Sequence, residues 1–143
     1  MRIGELAQAA TTDIETIRYY EKAGLLPAPP RSAGNYRQYG PDHAARLAFI
    51  RHCRALDMSL DEVRTLLAFC DAPDRECEGV NALLEEHIAH VRERMNELQA
   101  LEKTLITLRR TCKRVQRAAS CGILKGLSAS APLPAKRKAR GHV

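Results

Sequence analysis

Residues 81–111, NALLEEHIAHVRERMNELQALEKTLITLRRT, decide the fold. Leu84, Ile88, Val91, Met95, Leu98, Leu101, Leu105 and Leu108 recur at steps of four and three, slipping once, which is the spacing of an apolar stripe on one helix face. No Pro or Gly interrupts the run, so it predicts a single dimerisation helix over 81–111, roughly 45 Å long at 1.5 Å per residue. A chain of 143 residues cannot cover such a stripe by itself, and the helix needs a partner helix. Cys77 stands before it and Cys112 at its end, too far apart within one chain to share a ligand. If two copies pair antiparallel, Cys77 of one subunit meets Cys112 and Cys121 of its mate, making two three-thiol sites per dimer. A two-fold antiparallel pair is also the self-complementary geometry that closed homodimers favour.

Working outward, the length fits a small domain with an appendage. No apolar run approaches the roughly 18 residues of a membrane span, and Met1–Ala10 carries no signal-peptide pattern. The expectation is a cytoplasmic protein with no membrane partner. In that compartment, five cysteines without a regular framework favour reduced thiols over disulfides. The formal charge of +6 is unevenly spread: residues 113–143 carry eight Lys or Arg and no acid. Within the N-terminal region the positive charge is local, because Arg18, Lys22, Arg31 and Arg37 face only Glu21 between Thr16 and Tyr39. Such a patch suits phosphates. There is no nucleophile-base arrangement, no Gly-rich phosphate loop and no carboxylate pair in a plausible cleft, so the expectation is not an enzyme.

Residues 1–70 read as a small helical module. Ile3–Ala10 forms a first short helix with Ile3, Leu6 and Ala10 on one side, broken at Thr11-Thr12. Thr12-Asp-Ile-Glu15 has the capping-box pattern and starts a second helix, which Gly24 stops after Ala23. Two short helices joined by a tight turn form a helix-turn-helix candidate, its second helix carrying Thr16, Arg18, Tyr19, Tyr20 and Lys22. Pro27, Pro29 and Pro30 exclude helix, and Ala33-Gly34-Asn35 supplies a turn, predicting a small hairpin or wing with Arg31, Asn35, Tyr36 and Arg37. Pro41 opens a third helix through Ala55, and the capping box Ser59-Leu-Asp-Glu62 opens a fourth. Residues 71–80 form an acidic linker loop holding Cys77, residues 112–128 a metal-binding loop with a short helical turn at Ile123–Leu127, and residues 129–143 a basic tail without core-forming pattern, read as disordered. The fold class is mainly α: a winged helix-turn-helix domain, a long antiparallel coiled-coil dimerisation helix and a C-terminal metal-binding loop.

Ile3-Gly-Glu-Leu-Ala7, Glu15-Thr-Ile-Arg-Tyr-Tyr-Glu21, Gly24-Leu-Leu-Pro27, Gly34-Asn-Tyr-Arg37 and Leu47-Ala-Phe-Ile50 together resemble the DNA-binding half of the MerR family of transcription regulators. The likeness spans Met1 to Cys70. The remainder, with Cys77 before Val80-Asn-Ala-Leu83, Glu86-His-Ile88, Cys112 and Cys121-Gly-Ile-Leu124, is similar to the lead- and cadmium-responsive branch. The resemblance implies a homodimer gripping a palindromic operator between promoter elements set too far apart. Metal binding at the ends of the dimer helices would then untwist and bend the DNA so that RNA polymerase can start. It also implies that the second helix enters the major groove, with Arg18 and Tyr19 near bases. Tyr20, Lys22, Arg31, Asn35, Tyr36 and Arg37 would lie near backbone.

Taken alone, Cys77 also reads as a small loop residue, but Cys112 and Cys121, with eight residues between them in a basic polar stretch, are harder to explain as core. Thiolates are soft ligands that select Cu(I), Zn(II) and heavier soft ions. Three of them leave a net −1 around a divalent ion and −2 around a monovalent one, so Cys77 argues for a divalent metal. Lead(II) and cadmium(II) fit best, and mercury(II) or zinc(II) are alternatives; a thiol-based redox regulator is the rival reading. Binding releases thiol protons, so affinity falls as pH drops. Cys53 and Cys70 are expected as buried small residues. His87 and His90, one turn apart, read as surface residues or, with Glu62, as a second metal site. One or two of Tyr19, Tyr20, Tyr36 and Tyr39 are expected to pack the module, and the basic tail reads as solvated or as adding nonspecific DNA affinity.

Overall fold

The structure, a computed structural model, describes residues 1–112 and 114–129. It is mainly helical: α1 Ile3–Ala9, α2 Ile14–Lys22, α3 Pro41–Ala55, α4 Leu60–Cys70, α5 Glu78–Arg110 and α6 Gly122–Ser128, with a 3-10 turn at Ala118–Ser120. Among the described residues none lies in a β-strand. The chain divides into two compact units, Met1–Val80 and the residues from Asn81 on.

The first unit closes over Leu6, Ile17, Leu25, Leu47, Ile50 and Val63, all fully buried. Burying a side chain of this kind contributes about 1.5–3 kcal/mol, so these six positions hold α1 to α4 together. The turn between α1 and α2 departs from the expected capping box. Asp13, not Thr12, is the N-cap of α2, and the Thr12 hydroxyl turns back to donate to the Ala10 carbonyl at 2.9 Å. Gly24, at φ +78°, ends α2 in the left-handed region that its missing Cβ permits. The Ser59 box is realised: Glu62 N–H donates to Ser59 Oγ at 3.1 Å, and Ser59 N–H to Glu62 Oε1 at 3.0 Å.

The wing is a minimal hairpin. Its arms meet at one antiparallel bridge, Arg31 with Arg37, supported by Ser32 N–H donating to Tyr36 O at 2.6 Å and Gln38 N–H to Pro30 O at 2.8 Å. Asn35, at φ +65°, makes the turn, a conformation that Asn tolerates better than most residues.

Two arginines fix the end of α2 to the later helices. Arg46 of α3 donates through Nε to the Leu25 carbonyl at 2.7 Å and grips Asp71 with both terminal nitrogens at 2.8 and 3.1 Å. Those hydrogen bonds hold the Asp71 carboxyl below the usual carboxylate range. Arg64 of α4 donates to the Ala23 carbonyl at 2.8 Å. Beyond α4 the chain folds around Phe69: the Arg75 guanidinium lies 4.1 Å from the ring centroid, and a Cβ at Gly79 would stand 2.5 Å from the ring. The linker expected over 71–80 is therefore shorter, because α5 begins at Glu78, directly after Cys77. Cys53 is buried as expected, whereas Cys70 is exposed, since it ends α4 beyond the core-facing Val63, Leu66 and Leu67.

In the second unit α5 runs on to Arg110, 33 residues in all and about 50 Å long. Its stripe is uncovered, with Leu84, Ile88, Val91, Met95, Leu98, Leu101 and Leu105 between 39% and 59% exposed. An apolar seam this long on one helix is the pattern of a coiled-coil partner surface. The short turn expected at Ile123–Leu127 is α6, one residue longer at each end. It lies directly on the last turns of α5: a Cβ at Gly122 would meet the Thr111 carbonyl oxygen at 2.3 Å, and one at Gly126 the Leu108 Cδ1 at 2.8 Å. Glycines four apart let the two helices touch. The tail expected to be disordered lies, over 130–143, outside the described residues.

Candidate nucleic-acid and metal sites

In the first unit, α1, α2 and the wing enclose an open concavity of about 770 Å³. Its charged lining is Arg2, Arg18, Glu21, Lys22, Arg31 and Arg37. Helical spacing sets this up: Ile17 and Tyr20 face the core, so Arg18, Tyr19 and Lys22 face out. Glu21 is spent internally. Its carboxylate accepts from the Arg37 guanidinium and from the Tyr39 hydroxyl, pinning the base of the wing to α2. The hydrogen bond with Tyr39 and the Glu21 charge raise the Arg37 pKa. Burial, then the bond to Glu21, raises that of Tyr39. What faces outward is a cationic hollow suited to a phosphate backbone.

Of the residues expected at nucleic acid, Arg18, Lys22, Arg31, Asn35, Tyr36 and Arg37 converge on this concavity. Arg31 also holds the turn, donating to the Asn35 carbonyl at 3.1 Å. Tyr19 is exposed on the outer side of α2 and Thr16 is half-buried. Tyr20 is different: only 5% exposed, it packs in the core, as does Tyr39. Little of Tyr20 is left to face a nucleic-acid backbone, and the outward tyrosines are Tyr19 and Tyr36. Arg2 was missed by sequence reading. It precedes the charged window between Thr16 and Tyr39, and only folding brings its guanidinium to 3.9 Å from the Tyr36 ring centroid.

The thiols are placed by the helix junctions. Cys77 is exposed, immediately before α5. Cys112 and Cys121 flank the loop between α5 and α6, both half-buried, and all five cysteines are free. Cys121 is the N-cap of α6. The Leu124 N–H pulls its pKa below the ordinary thiol value; partial desolvation opposes this, and the Ile123 N–H and the Cys112 side chain add to it. Cys112 Sγ also lies 3.6 Å from the Arg114 carbonyl. The junction thus brings together two of the three predicted sulfurs. That donor pair fits a soft metal ion.

For the second set, Glu62 in the first unit is engaged at the Ser59 cap. On α5, His87 is buried and His90 half-buried.

Comparison with known proteins gives a consistent result. Residues 1–70 match the family described as MerR HTH family regulatory protein, and residues 44–108 the family described as MerR, DNA binding. The chain is 48% identical over 109 residues to the HTH-type transcriptional regulator ZntR homolog of Haemophilus influenzae, covering 76% of this chain and 81% of that protein. It is 36% identical to the mercuric resistance operon regulatory protein of Serratia marcescens, over 89% of this chain and 87% of that one. Among solved structures, the transcription regulator PbrR691 from Ralstonia metallidurans CH34 in complex with lead(II) superposes with a TM-score of 0.80 at 52% identity, covering 90% of this chain and 99% of that one.

Proposed function

The chain belongs to the MerR family of helix-turn-helix regulators, and from that premise we propose that it is a homodimeric activator of heavy-metal resistance genes, sensing a divalent soft metal through Cys77, Cys112 and Cys121. Its relatives include a mercuric resistance operon regulatory protein and a transcription regulator solved in complex with lead(II). In the proposed assembly the α5 stripes pair antiparallel, and each site takes Cys112 and Cys121 from one subunit and Cys77 from the other.

The observation that carries this reading is the junction of α5 and α6, where Cys112 and Cys121 flank one short loop that Gly122 packs closely against Thr111. Two sulfurs there leave a divalent ion short of ligands, and an α5 of 33 residues keeps the chain's own Cys77 about 50 Å away. A second copy supplies the missing thiol. A bound soft ion would tie the thiolates together and neutralise most of their charge. The lead(II) complex of a neighbour at 52% identity supports lead or, by similar sulfur affinity, cadmium; the mercuric relative keeps mercury(II), and the preference of thiolates keeps zinc(II), as outcomes of the titration.

The chain's own residues offer a route from sensor to DNA. Phe69 is flanked by Arg75 of the loop ending at Cys77 and by Gly79 in the first turn of α5. Phe69 belongs to α4, whose Arg64 and following Asp71 connect to the α2 end through Ala23 and through Arg46 with Leu25. A shift of the Cys77 loop therefore bears on the helix that carries Arg18 and Tyr19. Those side chains, with the wing, would hold promoter DNA and change its shape so that RNA polymerase can begin.

The test is a metal titration of promoter-driven transcription with the native protein and with Cys77→Ser. The variant should lose the divalent response and keep its DNA affinity; a normal response removes Cys77 from the site. Running the titration in reductant separates the rival redox reading, in which the response disappears.

A further inference from the structure

We propose that Arg2 is a phosphate-contacting residue, which with Arg31 and the cations of α2 forms a clamp on a single DNA backbone. The proposal rests on the DNA-binding reading of the concavity and adds α1 to it. Arg2 is the N-cap of α1, and its backbone is held firmly. Its N–H donates to Glu5 Oε1 at 3.2 Å, and its carbonyl accepts from Glu5 and Leu6 N–H at 3.1 and 3.0 Å. The preceding residue is paired with the far end of the wing, Tyr39 N–H donating to the Met1 carbonyl at 2.7 Å. The start of α1 and the wing are therefore one local structure, and the Arg2 side chain has a fixed origin.

Its guanidinium stacks on Tyr36 at 3.9 Å from the ring centroid. Stacking occupies the flat face of the guanidinium and leaves its edge N–H donors free. Among the described residues no acid is ion-paired with it, whereas Arg37 across the hollow is already committed to Glu21. Arg2 is thus a more available cation than Arg37. It lies on the same concave lining as Arg18, Lys22 and Arg31. The Tyr36 ring passes close to Gly34, where a Cβ would stand 3.2 Å from it. The stack fixes a planar, donor-rich cation on the lining of the concavity, and such a cation suits phosphate oxygens.

The experiment measures binding of the full-length dimer to a random-sequence duplex of about 30 base pairs across a salt series. The variants are Arg2→Ala, Arg2→Lys and Arg18→Ala, each checked for fold by circular dichroism. Losing one phosphate contact per subunit reduces the log–log salt slope by about 1.8, so a fourfold rise in salt should weaken Arg2→Ala about 12-fold less than the native protein. Arg2→Lys, which keeps the charge, should retain the native slope. An unchanged slope for Arg2→Ala beside a reduced slope for Arg18→Ala overturns the Arg2 clamp and leaves the DNA-binding reading standing. Unchanged slopes for both overturn the concavity as a DNA surface, and the clamp with it. A slope that falls as far for Arg2→Lys as for Arg2→Ala also overturns the clamp, since the side chain would then act through packing.

Discussion

Replacing Gly122 with Ala should damage the proposed metal site more than any other single-methyl change near it. The added carbon would lie 2.3 Å from the Thr111 carbonyl oxygen, 2.9 Å from the carbonyl carbon and 3.0 Å from the Thr111 Cβ. Carbon and oxygen approach to roughly 3.3 Å, so the start of α6 must retreat by about 1 Å, and the obstacle is backbone that cannot rotate away. Cys121 is the adjoining residue. Metal–sulfur distances tolerate only about 0.2 Å, so the retreat removes one sulfur from bonding range unless the loop rebuilds. We expect cadmium(II) affinity, measured by competition with a chromophoric chelator, to fall about 10- to 100-fold, the range seen when groups supporting a ligand are lost. DNA binding should be unaffected. The sign is informative, because Gly→Ala in an unobstructed helix stabilises by up to about 1 kcal/mol. Gly126→Ala meets only the tip of Leu108 at 2.8 Å, a side chain that can turn aside, so its loss should be a few-fold. Native affinity in Gly122→Ala, or a larger loss in Gly126→Ala, would refute the packing argument.

Two further expectations follow from the same structure. Leu98→Lys places a charge in the middle of the α5 stripe, at a side chain now 54% exposed. The pair of substitutions forfeits roughly 1–2 kcal/mol of burial per copy besides the cost of desolvating the ammonium, so sedimentation equilibrium should show dimer dissociation strengthened at least about 100-fold; a native dimer would place the seam elsewhere. Asp71, held below its ordinary pKa by Arg46, contributes stability that is complete above the usual carboxylate value of about 3.9 and is lost as pH falls through its lower folded value. Its side chain is 58% exposed, which limits the contribution to below about 1 kcal/mol. Asp71→Asn should flatten the acid limb of a Tm-versus-pH curve, and an acid limb identical to the native one would contradict this role.

The sequence carried the fold wherever one periodic pattern had one solution. Pro41 opens α3 and the Ser59 box opens α4 as read, and the stripe from Leu84 to Leu108 marks a single helix. The same local grammar failed at Thr12, where the hydroxyl found the Ala10 carbonyl before it could reach forward. A side chain that can bond either way is decided by the turn geometry, here Thr11 at φ +50°. Cys70 was misplaced because its position on the apolar side of α4 falls at the last residue, past the edge of the core. At the candidate sites, residue types and spacing revealed the thiols and most of the basic patch. They did not reveal Arg2, Gly122 or Gly126. A guanidinium resting on a ring 34 residues later and a glycine kept small by a carbonyl just past the end of α5 are tertiary facts, with no periodic trace in the chain.

Helix α5 begins with the residue after Cys77 and ends two residues before Cys112. In an antiparallel pair this makes it a ruler. Side chains along the seam of the proposed pair can be exchanged for others of similar volume, whereas a turn removed on one side of the two-fold axis would slide Cys77 about 5 Å along the seam from the thiols it is proposed to join, equally at both ends. The count of residues in that rod is therefore held more tightly than their identity, and variation among such sensors should accumulate on its surface before it alters its span.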